Sequence, residues 1–87
     1  MTDKLTLEII TPEGFTFTEE VDELTAPGTM GEFGVLPGHA PFMTTLETGA
    51  ITYKTGNTSK QVVVKAAYAQ VIDDHVLVLA DSAELKQ

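Results

Sequence analysis

The residues best equipped for chemistry are the two histidines, His39 and His75, with the acids near them. His39 stands in the stretch EFGVLPGHAPF, Glu32 to Phe42, where Glu32 or Glu47 would be the carboxylate partner of a histidine acting as general base. The rest of a nucleophile–base–orienter set is not recognisable around it. There is no Gly-x-Ser-x-Gly and no Gly-Lys-Ser/Thr loop to cradle a phosphate. A histidine between Gly38 and Ala40 reads more simply as a turn or surface residue. His75 follows Asp73 and Asp74, which are metal-competent groups. It lies 36 residues from His39, however, with no His-x-His pair, and Asp-Asp before a strand is ordinary turn chemistry. The chain has no cysteine, which removes thiolate catalysis, disulfides and cysteine metal sites. No catalytic residue, metal ligand or cofactor site is expected.

Charge narrows the partners. The net charge is −8, and residues 1–47 carry all of it, with nine acids against the single base Lys4. Residues 48–87 hold four acids and four lysines, and the chain has no arginine. Such a surface repels phosphate backbones, so nucleic acid is not an expected partner. It serves either as a solvated acidic face or as one steered toward a basic partner. The N-terminus MTDKLTLEII is not a signal peptide, and no apolar run approaches the roughly 20 residues of a membrane helix.

The stretch from Glu32 to Phe42 concentrates two of the four prolines and two of the seven glycines. Pro37 and Pro41 each fix their own φ and restrict the residue before them, while Gly34 and Gly38 permit φ values that other residues resist. The loop's shape is therefore largely set before anything binds, which lowers the ordering entropy lost on association. Phe33, Val35 and Phe42 either support the loop from beneath or project toward a partner. The same residues would also make a stiff corner that only closes a fold.

The elements holding these residues have a period of two. Leu5, Leu7 and Ile9 share one face against Thr6 and Glu8, and Phe15 and Phe17 repeat the pattern. Val21 to Ala26 suits a half-buried strand. MTTLET and AITYKT flank Gly49 as two strands with a tight turn between them. Gly56-Asn57 is a hairpin signal. KQVVVKAAYAQVI reads as one long bent strand or two, DDH at 73–75 as a turn, and VLVLA as a buried strand. The only helix signal is DSAELKQ, where Asp81 or Ser82 would cap a helix with Glu84 as capping-box partner. Short strands and frequent turns predict a single all-β domain over residues 1–87, an antiparallel sandwich or barrel, with 81–87 as the start of a truncated or absent helical region. A domain of this size buries only roughly 60–65% of its unfolded surface, so a partner's support would be useful.

The stretch APGTMGEFGVLPGHAPFMTTLETGAI resembles the signature of the ε subunit of F-type ATP synthases, and VLVLADSAE resembles the same family's last strand. The resemblance spans the chain from the first strand to residue 84. It implies a β-sandwich of two five-stranded sheets and a place in the central rotor stalk. There the subunit would bind γ and rest on the polar loops of the c-ring. Its role would be mechanical, carrying rotation driven by protons or sodium ions to the catalytic α/β hexamer, with no catalytic residue of its own. Glu32, in the loop after Gly31, matches the family's acidic position facing the c-ring, with Phe33 beside it, so Gly31, Glu32 and Phe33 would form the c-ring contact. His39, Ala40 and Pro41, inside Pro-Gly-His-Ala-Pro, match the region approaching γ, as does Thr11 at the end of the first strand. Most members continue into a C-terminal helical hairpin that inhibits ATP hydrolysis and in some cases binds ATP. This chain ends at Gln87, so no hairpin is expected here and neither property is assigned. The rival readings are a small acidic sandwich binding a peptide or sugar, poorly served by Tyr53 and Tyr68 and the absence of Trp, and a compact metal hydrolase on His39 and His75.

Overall fold

Alternating apolar and polar side chains become strands almost wherever they occur. The computed structural model describes residues 4–86. They form β1 (Leu5–Ile10), β2 (Thr16–Val21), β3 (Glu23–Gly28), β4 (Gly31–Val35), β5 (Phe42–Leu46), β6 (Gly49–Thr55), β7 (Thr58–Ile72) and β8 (His75–Lys86). The ladder is continuous but folds over on itself, because β7 and β8 are long enough to serve two layers. The first layer runs β2, β1, the first half of β8, the second half of β7, and β5. The second runs from the remaining half of β8 through the first half of β7 to β6, β3 and β4. This is the expected sandwich of two five-stranded sheets, and KQVVVKAAYAQVI lies in one bent strand.

The bend has a local cause. Pairing skips Ala66 and Asp81, between Lys65↔Ser82 and Ala67↔Ala80. Ala66 takes φ of 50°, a left-handed conformation costly for a residue with a Cβ. The core side of β7 changes parity across it, from Val62 and Val64 to Ala67, Ala69 and Val71. A one-residue phase change is what lets one strand face the same core from both sheets. Leu5, Leu7 and Ile9 of β1, Ile51 of β6 and Val76 and Val78 of β8 complete that core, with Phe15, Phe17, Phe33 and Ala83 packed at its margins. Tyr53 is buried among them, and its hydroxyl donates to Glu19 Oε1 at 3.3 Å.

Four sequence expectations need correction. The helix signal at 81–87 is overridden. Ser82 to Lys86 continue β8 and pair with Lys65 to Gln61, since a strand edge offers every backbone group a partner that a one-turn helix lacks; Gln87 lies outside the described residues. Pairing is antiparallel except between β1 and β8, which run parallel. These strands are far apart in sequence, so no tight turn dictates their direction. Val21 to Ala26 is interrupted by a bend at Asp22. VLVLA is buried on one face only, because Leu77 and Leu79 point away from Val76 and Val78. The turns read from sequence are present: Gly56-Asn57 joins Thr55↔Thr58, and Asp73-Asp74 joins Ile72↔His75. The tight connection before Gly49 carries the chain from one sheet to the other, as β5 pairs with β7 while β6 pairs with β3 and the other half of β7.

Candidate functional site

The loop between β4 and β5 is built as a type II turn. Pro37 sets the first corner, Gly38 takes the second at φ of 89°, and the His39 amide donates to Leu36 O at 3.1 Å. The Gly38 amide, outside that bond, donates to Asp74 Oδ1 at 2.7 Å. His39 Nδ1–H donates to Ala40 O at 2.6 Å. The His39 ring meets Phe42 edge-on at 5.9 Å, and Phe42 meets Phe33 at 5.1 Å. Phe33 and buried Val35 thus support the loop from beneath, whereas Leu36 projects at 58% exposure and Ala40 and Pro41 are exposed beside it.

Gly31, Glu32 and Phe33 lie on β4 rather than in a loop. Among the described residues β4 pairs only with β3, leaving its other edge without a strand partner there, and Glu32 stands exposed opposite Pro27. Among the described residues no cation pairs with Glu32. Phe33, the next residue, turns inward. One strand edge therefore holds an open charge and its apolar anchor on opposite faces.

Thr11 is buried at 5% exposure. Its amide donates to Phe15 O at 3.0 Å, and its hydroxyl accepts the Phe15 amide at 3.2 Å. Thr11 therefore shapes the β1–β2 turn, and its neighbours Ile10 and Pro12 present the surface there. They line a shallow groove with Ala66, Leu79 and Asp81.

The apolar outer face of the first sheet escaped the sequence reading. Leu79 lies between Ile10 and Tyr68, and Leu77 lies between Glu8 and Gln70, with Met43 next in that row. Leu79 is 43% exposed, and Met43 and Ile72 are exposed as well. The signal was present: both parities are apolar in VLVLA, so one of them had to face outward unless a third layer covered it. On the same face His75 Nε2–H donates to Glu8 Oε1 at 2.9 Å. The second sheet's outer face is polar, with Thr25, Thr52, Lys54, Ser59 and Gln61 across adjacent strands.

The histidines are occupied in ways that do not assemble a reaction centre. Neither Glu32 nor Glu47 is hydrogen-bonded to His39, and no group of three His, Asp or Glu side chains among the described residues is arranged to hold a metal. The perturbed groups serve the scaffold. The bond from Lys4, then that from the Gly56 amide, hold the Asp22 carboxyl below the usual carboxylate value, and the same bond raises Lys4. Burial, with Glu19 alongside, pushes the Tyr53 hydroxyl up.

What fold and site together define is a β-sandwich whose prepared features lie on its outside: a stiff loop, an open carboxylate and an apolar face. The chain belongs to the ATP synthase delta/epsilon family, because the family model described as "ATP synthase, Delta/Epsilon chain, beta-sandwich domain" matches residues 4–86. It is 48% identical over 84 residues to ATP synthase epsilon chain 2 of Syntrophotalea carbinolica and 49% identical over 84 residues to the ATP synthase epsilon chain of Geobacter metallireducens. Each alignment covers 97% of this chain and 61% of the relative, so the chain spans about three-fifths of their length. Among solved structures, a chain of the Euglena gracilis mitochondrial ATP synthase (OSCP/F1/c-ring, rotational state 1) superposes with a TM-score of 0.87 at 25% identity, covering 98% of this chain and 55% of that one. A chain of the Tetrahymena thermophila mitochondrial ATP synthase (central stalk/c-ring) shares the fold, with a TM-score of 0.75 at 13% identity over 94% of this chain and 68% of the other.

Proposed function

We propose that this domain is a non-catalytic rotor component of an F-type ATP synthase, joining γ to the c-ring and passing ion-driven rotation toward the α/β hexamer. It would sit peripherally at the cytoplasmic face of an energy-transducing membrane. The observation that carries this reading is the apolar outer face of the first sheet. Ile10 and Leu79 border it beside the Thr11 turn, and Met43 and Ile72 border it beside Pro41. The two segments matched to the γ contact, Thr11 and His39–Pro41, therefore lie beside the same outer face, where Glu8, Gln70 and Thr45 stand among the apolar side chains, whereas the polar second face offers γ little to bury. Within that surface His39, Ala40 and Pro41 act from a preset loop, and Thr11 acts by holding its turn. At β4, Gly31 keeps the strand edge open, Phe33 anchors it, and Glu32 offers its charge to a basic c-ring loop. A rim ion pair of that kind contributes ~0–1 kcal/mol, so it orients more than it binds.

Calorimetric titration with the γ subunit from the same source tests this. Saturable one-to-one binding is expected. No heat of binding with a demonstrably folded γ would overturn the proposal for this domain.

A further inference from the structure

The turn between β7 and β8 carries a residue choice that the hairpin alone does not explain. Asp73 and Asp74 both take positive φ, 51° and 62°, in a two-residue connection closing Ile72↔His75. That is a type I′ turn, in which the second position strongly favours glycine and a side chain brings backbone strain. Strain of this kind persists where the surroundings use the residue. Asp74 is used twice. Its carbonyl accepts the Thr6 amide at 2.9 Å, a bond that any residue would make. Its carboxylate accepts the Gly38 amide at 2.7 Å, a bond that glycine could not make.

Gly38 is the point at which such a latch has most leverage. The amide of the second corner residue takes no part in the turn's own hydrogen bond, and in a type II turn the central peptide is flipped relative to type I, so that this amide points to the opposite side. An external acceptor at that amide fixes the flip, and with it the direction of His39, Ala40 and Pro41. The prolines restrict φ at residues 37 and 41 and the residue before each, but Gly38 itself has the widest choice of conformation in the loop. The latch therefore acts on the more permissive of the two loop residues, Gly38 and His39, that the prolines leave unrestricted. It ties the loop to the paired strands β7 and β8 and, through the Thr6 bond, to the start of β1.

We infer that Asp74 is the positioning residue of the Leu36–Pro41 loop: its carboxylate holds the Gly38 peptide in the conformation that presents His39–Pro41 to a partner. The identity of that partner as γ rests on the function proposed above. The effect on the loop does not.

Asp74→Gly is the informative variant, because it turns the connection into Asp-Gly, a favoured type I′ sequence, while deleting the latch. In the 87-residue chain by itself, Gly38 amide exchange followed by NMR is expected to speed up by about tenfold or more, with protection of the β7–β8 amides retained. Binding to γ by titration is expected to weaken roughly tenfold, since the loop must then be ordered on association. Asp74→Asn keeps an oxygen acceptor and tolerates positive φ, and is expected to retain most of the Gly38 protection and of the affinity of the unaltered chain. Unchanged Gly38 exchange in Asp74→Gly would overturn the latch. Faster exchange with undiminished affinity would overturn its role in presentation. Failure of the unaltered chain to bind γ would count against the rotor reading, while the exchange measurement would still decide the latch.

Discussion

Glu32 and Asp22 are both acids from the crowded first half of the chain, yet the structure uses them oppositely. Glu32 is exposed at a strand edge with no cation partner among the described residues, so its charge does little for the fold there. Glu32→Lys is expected to change stability by no more than about 0.5 kcal/mol in denaturant melts while reducing c-ring coupling in reconstituted synthase. A melting temperature that fell in proportion to coupling would sink that assignment. Asp22 is a clasp, with one oxygen on Lys4 and the other on the Gly56 amide at 2.7 Å. Its folded pKa lies below the unfolded value of 3.8. Its contribution is therefore present above that value and lost as pH falls through the lower folded one. Lys4 is raised above 10.5, so its share is complete below that pH and disappears as pH rises through the higher folded value. Thermal melts across the acid limb should lose a component in Asp22→Asn. An identical acid limb in the variant would show that the clasp is not formed in solution. None of this was legible beforehand: Lys4 and Asp22 are 18 positions apart and Asp22 and Gly56 are 34 apart, and no local pattern links them.

At the scale of elements, turns were easier to read than strand ends. Gly56-Asn57 and Asp73-Asp74 announce hairpins because few residues tolerate positive φ. The Asp81–Glu84 capping signal misled because it is worth little against a row of backbone bonds offered by β7. The bend in KQVVVKAAYAQVI was one of two readings of the sequence, but nothing placed its corner at Ala66, as alanine is not a residue normally chosen for a left-handed position. This makes a sharp prediction. Ala66→Gly is expected to stabilise the domain by about 0.5–1 kcal/mol, the relief of the strained φ being partly offset by the entropy of the unfolded glycine. Equilibrium urea melts with unchanged slope would register it as a higher midpoint. A lower midpoint would mean that the Ala66 methyl packs in the groove more than its backbone strains.

For the whole molecule, the two outer faces separate stability from association. Leu7 is fully buried, and Leu7→Ala is expected to cost about 2–5 kcal/mol, a large share of a small domain's stability. Leu79, on the opposite side of the same layer from the core, is expected to behave inversely. Leu79→Lys should leave the melting temperature within a few degrees and weaken γ binding by at least about tenfold, as expected for a charge placed in an apolar contact. If Leu79→Lys bound γ as well as the unaltered chain, the docking face would have to be sought elsewhere on the sandwich. The sandwich's slimness explains why this face is open: two layers bury one side of each sheet, and VLVLA is apolar on both.

The sequence by itself determined that the chain is all-β, where the Gly56-Asn57 and Asp73-Asp74 turns fall, which residues point inward along β1, and that prolines and glycines crowd the stretch from Glu32 to Phe42. Each follows from local sterics or the two-residue period of a strand, information carried by neighbours a few positions apart. Only the tertiary structure decided that β1 runs parallel to β8, that β7 changes sheets at Ala66, that Thr11 is spent on its own turn, and that Asp74 reaches Gly38. Those facts depend on contacts across dozens of residues, where each backbone group and carboxylate has many possible partners and the packing of one shared core selects among them.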